Sequence, residues 1–166
     1  MAEFYNSIGS LDRKWHVGLM IVSSLLAISV LGPGWYSEDV LAPYHWHYSF
    51  FSWLCHQDPT RSFDFMGTQM AVCSRCLGIY SSFSVGIYFL WFLKIVGYQL
   101  SYPFMRKVLL ASIVMNGLDI LSNALNIWTN TLYSRLLMGI LFGLAAALIL
   151  GSVGTIKPKP KKVHSV

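Results

Sequence analysis

Charge is scarce in this chain. Asp, Glu, Lys and Arg together make up 11% of its 166 residues, against roughly 25% in soluble globular domains. Cysteine is scarcer still, with three residues, an odd and small number that rules out a disulfide framework. No period of 20–50 residues repeats, which excludes solenoids and tandem arrays. The first apolar run lacks a small-x-small cleavage site, since Leu31-Gly32-Pro33-Gly34-Trp35 follows it. We therefore expect an uncleaved helix rather than a secretory leader.

What fills the chain instead is apolar. Hydrophobic residues reach 55%. A single domain of this length cannot bury that much apolar surface in its own core, because small domains keep much of their surface exposed. Lipid is the solvent that accommodates the excess. The net charge of +5 does not indicate nucleic acid, because the basic residues sit at helix ends and in the tail rather than on one polar face.

Four apolar segments, at residues 15–31, 73–96, 104–125 and 132–153, each approach the ~20 residues needed to span a bilayer. In hydrocarbon they must be helical, because backbone groups need internal partners. The expected fold is all-α: a polytopic transmembrane helical bundle of about four crossings. Residues 41–54 are aromatic-rich, short and hold His45 and His47, and they read as an interfacial or re-entrant helix, with a fifth crossing as the alternative. The two histidines fit as interfacial polar tips, with an additional ligand or a proton carrier as the other readings. One transmembrane domain covers 1–154, and a basic, Pro-broken tail, expected to be disordered, covers 155–166.

Lys and Arg placement orients the bundle. Arg13 and Lys14 precede the first segment; Lys94, Arg106 and Lys107 lie between the second and third; Lys157, Lys159, Lys161 and Lys162 follow the fourth. These assignments alternate consistently with both termini in the cytoplasm. The expected location is a prokaryotic inner membrane, with the connector at 32–72 outside.

All three cysteines fall in one pattern, Cys55-His56 followed by Cys73-Ser74-Arg75-Cys76. Four soft or borderline ligands in two clusters have the composition of a tetrahedral zinc site. A disulfide or thiol-redox pair at the C-x-x-C and inert structural cysteines are the competing readings. The third segment carries Ser112, Asn116, Asp119 and Asn123 on one helical face. An intramembrane carboxylate needs a partner, and an Asp119–Arg135 pair is the structural expectation. The functional expectation is a pocket of Asp119, as acid or base, with Arg61, Arg75, Arg135, Asn123 and Tyr80 binding an anionic lipid or a polyprenyl phosphate. Gly139, Gly143, Ala147 and Gly151 form a small-residue stripe, which suits packing within the bundle or a homo-oligomer through the Gly139/Gly143 face.

The runs Cys55-His56-Gln57-Asp58-Pro59-Thr60-Arg61 and Cys73-Ser74-Arg75-Cys76-Leu77-Gly78-Ile79-Tyr80 resemble a family of small prokaryotic membrane proteins grouped as domain of unknown function 2085. The resemblance extends to Asp119, Arg135 and Gly139. Ile120 and Asn123 stand where the family pattern has Gly and Gln. The resemblance implies a membrane protein and no activity. The residues themselves leave three functions in view: a metal-holding membrane protein with an anion pocket, a metal-dependent enzyme acting on a lipid or isoprenoid, and a thiol-redox protein.

Overall fold

In a computed structural model, residues 2–32, 46–96 and 100–152 are described. Helix α1 (Ala2–Ser29) is followed by a short α2 (Trp46–Phe51), a 3-10 turn (Pro59–Arg61), a two-stranded hairpin β1 (Asp64–Phe65) and β2 (Thr68–Gln69), then the long helices α3 (Ser74–Val96), α4 (Tyr102–Ala124) and α5 (Leu132–Ser152). Two of these, Ser74–Val96 and Leu132–Gly151, are long and apolar enough to cross a membrane. The expected interfacial segment is helical over six residues, Trp46–Phe51, roughly 9 Å at 1.5 Å per residue and too short to span. His45, the remainder of 33–45 and the basic tail lie outside the described residues.

The antiparallel hairpin pairs Asp64 with Gln69 and Phe65 with Thr68. Its two-residue turn, Met66-Gly67, has both φ angles positive, 51° and 79°, as a type I′ connection requires. Neither this hairpin nor the 3-10 turn is foreseen from hydropathy, since each is too short to carry a periodic pattern.

Helices α3 and α5 approach through small residues. The buried face of α3 includes Ser74, Gly78, Ser82, Ser84 and Gly86. A Cβ on Gly78 would lie 2.9 Å from the Ile140 backbone nitrogen and closer still to Leu136 O. One on Gly139 would strike the Arg75 carbonyl, and one on Gly143 the Ile79 carbonyl and Ser82 Oγ. Thus the Gly139/Gly143 face that the sequence offers to a homo-oligomer is taken up in this chain by α3. Helix α1 lies along the other flank of α3, where Ser24 Oγ and Tyr88 OH are 2.8 Å apart and buried His16 meets Trp91 at 5.8 Å between ring centroids. Asn116 Nδ2 ties α4 to α5 by donating to Met138 O at 3.1 Å.

The outward faces are apolar: Ile21, Val22 and Leu25 on α1, Val85, Phe89 and Phe92 on α3, Leu110, Val114 and Leu118 on α4, and Leu137 and Leu150 on α5 are all exposed. Along the contact of α3 with α5 the buried residues are mostly small, Ile87 excepted, while many large apolar residues face outward, unlike a water-soluble core. Gly139→Leu should therefore cost about 3 kcal/mol or more by overpacking against backbone that cannot yield. Gly117→Ala, where an added Cβ meets nothing within 4 Å, should be tolerated. Thermal melting of both variants in detergent separates the two outcomes.

Candidate metal centre and the arginine cluster beside it

The C-terminal end of α2 delivers Cys55. Cys55 N–H bonds Phe51 O at 2.8 Å, which closes a last helical turn and points the side chain into a small core of Val30, Phe51, Ala71 and Val72. The chain then reverses at Gln57, whose φ is 52°. Its amide nitrogen donates to Tyr48 O at 2.7 Å and Ala71 O at 3.0 Å. Gln69 Nε2 donates back to Gln57 O at 2.8 Å, and the Tyr48 hydroxyl donates to Gln69 O. One amide thereby braces α2, the reversed loop and the approach to α3. Gly32, at φ 74°, brings the end of α1 against Ala71, where a Cβ would lie 3.2 Å from the Ala71 nitrogen.

This bracing brings together residues eighteen apart in sequence. The Sγ atoms of Cys55, Cys73 and Cys76 all lie within 4.8 Å of one another, and Cys73 N–H donates to Cys55 Sγ at 3.2 Å. Cys55 is where negative charge settles. The Cys73 and Cys76 thiols and the backbone amides of Cys73 and Gln57 all donate toward its sulfur, holding its pKa far below the usual thiol range despite burial. A tetrahedral ion with Zn–S bonds of ~2.3 Å holds its sulfurs ~3.8 Å apart, so the three thiols fit a soft ion without rearrangement of the backbone. His56 is exposed and is not part of the group. Adjacent residues at a helix end project apart, by about 100° on a regular helix, and burying Cys55 turns His56 outward. The expected fourth ligand is thus not brought to the other three. His47, expected as an interfacial tip, is 4% exposed and stacks with Trp46 at 3.9 Å between centroids. Tyr80 stands beside the cluster, its ring 5.6 Å from that of Phe51.

Beyond the thiols, the close approach of α3 to α5 assembles the polar groups. Asp119 pairs with Arg75, not with Arg135 as the sequence suggests. The reason is positional: the first turn of α3 packs its Arg75 backbone against Gly139, and from there the Arg75 guanidinium reaches Asp119 on α4. Asp119 Oδ2 also accepts from Asn130 Nδ2 at 2.9 Å, and Asn123 Oδ1 accepts from Asn130 N–H at 3.2 Å. Asn123 therefore shapes the loop between α4 and α5. Ser112 is buried and turns its hydroxyl onto Leu109 O at 2.8 Å. Arg61 Nε bonds Asp58 Oδ2 at 3.1 Å. Thr60 donates its hydroxyl and its amide to Asp58, at 2.7 and 3.0 Å, and holds that carboxyl below its ordinary range. Arg135 lies within electrostatic reach of Arg61, Arg75, Cys73 and Asp119.

Two residues that sequence reasoning did not single out matter here, Gln57 and Asn130. Gln57 sits inside the Cys-His-Gln-Asp-Pro run, so its motif was legible although its role was not. Asn130 lies in a connector with no pattern to mark it.

The family model described as "Predicted membrane protein (DUF2085)" matches residues 55–149. The chain belongs to this family. The matched region begins at Cys55 and contains every member of both clusters. Among curated proteins, an uncharacterized protein of Methanocaldococcus jannaschii is 49% identical over 61 residues, 37% of this chain and 31% of the relative. Another, of Methanothermobacter thermautotrophicus, is 53% identical over 30 residues, 18% of this chain and 27% of the relative. These matches span less than a third of either relative. No solved structure matches the chain significantly.

Gln57→Ala should destabilise the protein by about 1–3 kcal/mol, because the carbonyl of buried Ala71 loses its donor and that of Tyr48 keeps only the Ser52 amide. Gln57→Glu should be at least as damaging, since a carboxylate cannot donate to them; chemical denaturation reads both. The depressed Cys55 pKa contributes stability present above the ordinary thiol value of 9.0 and lost as pH falls through the folded value. Apo-protein should accordingly retain thiolate ultraviolet absorbance down to about pH 5, where an unperturbed thiol is protonated, and Cys55→Ser should abolish it.

Proposed function

We propose that this chain is a membrane-embedded metal-binding protein in which Cys55, Cys73 and Cys76 hold a soft divalent ion, zinc, as three thiolates. The observation that carries this reading is the convergence of all three cysteines of the chain within 4.8 Å from two separate segments. Thiolate donors select zinc and comparable ions over magnesium or calcium. With His56 turned to solvent, the described residues supply three ligands, and an exchangeable ligand at the fourth position completes the tetrahedron. A zinc ion held this way polarises an oxygen bound at that position, which favours an active role over a purely structural one and keeps a lipid- or isoprenoid-directed enzyme in view. The residues do the rest: hydrogen bonds to its sulfur lower the Cys55 pKa, the Cys73 amide fixes that sulfur, and the Gln57 brace keeps the three sulfurs at ligating separation.

Purified protein should bind one zinc or cobalt ion per chain, and the cobalt form should show intense thiolate charge-transfer absorption. Cys73→Ser should lower affinity by about tenfold or more, and His56→Ala should leave it within about threefold. Loading should release protons, so affinity should rise with pH. Metal-free protein with a reducible Cys73–Cys76 disulfide would instead establish the thiol-redox reading.

The reading extends to topology. Four crossings by α1, α3, α4 and α5, with both termini in the cytoplasm of a prokaryotic inner membrane, agree with the exposed apolar faces of all four helices and with the cation distribution. The metal centre then lies at the outer surface. A cysteine introduced at Thr60 in a Cys-free background should react with an impermeant maleimide from outside intact cells. Labelling only after lysis would overturn this topology.

A further inference from the structure

Three arginines from three different elements stand near the three cysteines. Arg75 lies between Cys73 and Cys76 in the first turn of α3. The Phe63 and Tyr133 rings, at 5.7 Å, bring the 3-10 turn of Arg61 to the first turn of α5. Arg61 and Arg75 are both within electrostatic reach of Arg135. Like charges brought within mutual reach cost free energy, and the fold offsets only part of that cost. Arg61 is paired with Asp58 and Arg75 with Asp119. Arg135 is half-buried, and although Cys73, Asp119 and Asp58 lie within electrostatic reach of it, none forms an ion pair with it among the described residues. A guanidinium carries five donors, and no side-chain hydrogen bond occupies those of Arg135 among the described residues.

Two buried polar atoms at the same place also lack partners among the described residues: Arg75 Nε, a donor, and Asn130 Oδ1, an acceptor. Both belong to side chains that hold Asp119 Oδ2, so the acid is already engaged and its charge is countered. Buried polar atoms without partners in a folded protein call for an explanation, a bound group among them. Here the vacant donors outnumber the vacant acceptor, and the donors are guanidinium.

We infer that the Arg61/Arg75/Arg135 cluster binds the phosphate group of a phosphate monoester or of inorganic phosphate. A tetrahedral oxyanion presents three or more acceptor oxygens to donors arriving from several directions, whereas a carboxylate satisfies a single planar fork. The acceptor at Asn130 takes the remaining P–OH hydrogen. Arg75 and Arg135 both stand at the first turn of an apolar helix long enough to cross a membrane, which is the depth of a lipid headgroup. The site does not depend on the metal reading, because it uses none of the three cysteines as ligands.

The test is equilibrium dialysis of the full chain in neutral detergent against radiolabelled inorganic phosphate. Parallel binding is measured in phosphatidylcholine nanodiscs with or without phosphatidic acid, with diacylglycerol as the neutral control. Saturable binding of phosphate, weakened about tenfold or more in Arg135→Gln and partly restored in Arg135→Lys, is the expected result. Arg13→Gln, on α1 and remote from the cluster, should bind as wild type. Tighter capture of phosphatidic acid than of free phosphate identifies a lipid headgroup as the source; the reverse identifies free phosphate. Should Arg135→Gln fail to fold, Arg61→Gln, on an exposed turn, decides with an expected loss of about threefold or more. Absence of saturable binding to either phosphate source, equal binding by wild type and both glutamine variants, or preference for acetate over phosphate would overturn the inference. Cobalt absorption measured on the same samples keeps this result separate from that for the metal centre.

Discussion

The backbones of α3 and α5 can touch because Gly78, Gly139 and Gly143 present no side chain between them, and nearly everything of chemical interest sits where they do. The Arg75 carbonyl occupies the space a Cβ on Gly139 would need. That contact fixes the height of the first turn of α3 against the first turn of α5. With this height set, Cys73 and Cys76 stand at the start of α3 and Arg75 reaches Asp119 on α4. In a lipid environment apolar side chains gain little by facing each other rather than acyl chains, so close van der Waals contact and polar pairing must hold the helices together. The glycines provide the first and the Arg75–Asp119–Asn130 set provides the second.

A second constraint, at the Gln57 brace, places the remaining sulfur. Cys55 lies in a different segment from the C-x-x-C, and its position is decided by amide-to-carbonyl bonds spanning α2, the reversed loop and residue 71. The positive φ at Gln57 lets the chain turn back within two residues of the cysteine. The three-cysteine cluster is therefore built half on a rigid helix start and half on a loop held by one side chain. The two clusters also share a border, since Cys73 and Arg135 lie within electrostatic reach of each other, so an anion arriving at the arginines would meet the negative field of the thiolates.

Hydropathy located three of the four long helices to within a few residues: 73–96 against Ser74–Val96, 104–125 against Tyr102–Ala124 and 132–153 against Leu132–Ser152. The first, expected at 15–31, runs from Ala2 to Ser29, because its polar first turns carry no hydropathy signal. Length and apolar character are local properties, and membrane helices express them directly. The grouping of the cysteines was legible for a similar reason: residue type carries the ligand chemistry, and three cysteines in a chain with no others leave little ambiguity about which belong together. The hairpin at 64–69 was not legible, because two-residue strands have no measurable periodicity.

What the sequence determined by itself, then, was the family, the helical architecture, and the residue types that could bind metal or anion. Which of them meet was decided only in three dimensions. His56 is adjacent to Cys55 yet faces solvent, because successive side chains diverge at a helix end and the core takes only one. Asp119 chose Arg75 over Arg135 because the offset between α3 and α5 is set by glycine contact, a property of the packed pair that neither helix carries alone. Partner choice among like residues depends on relative helix height and rotation, and those are fixed by tertiary contact rather than by spacing along the chain.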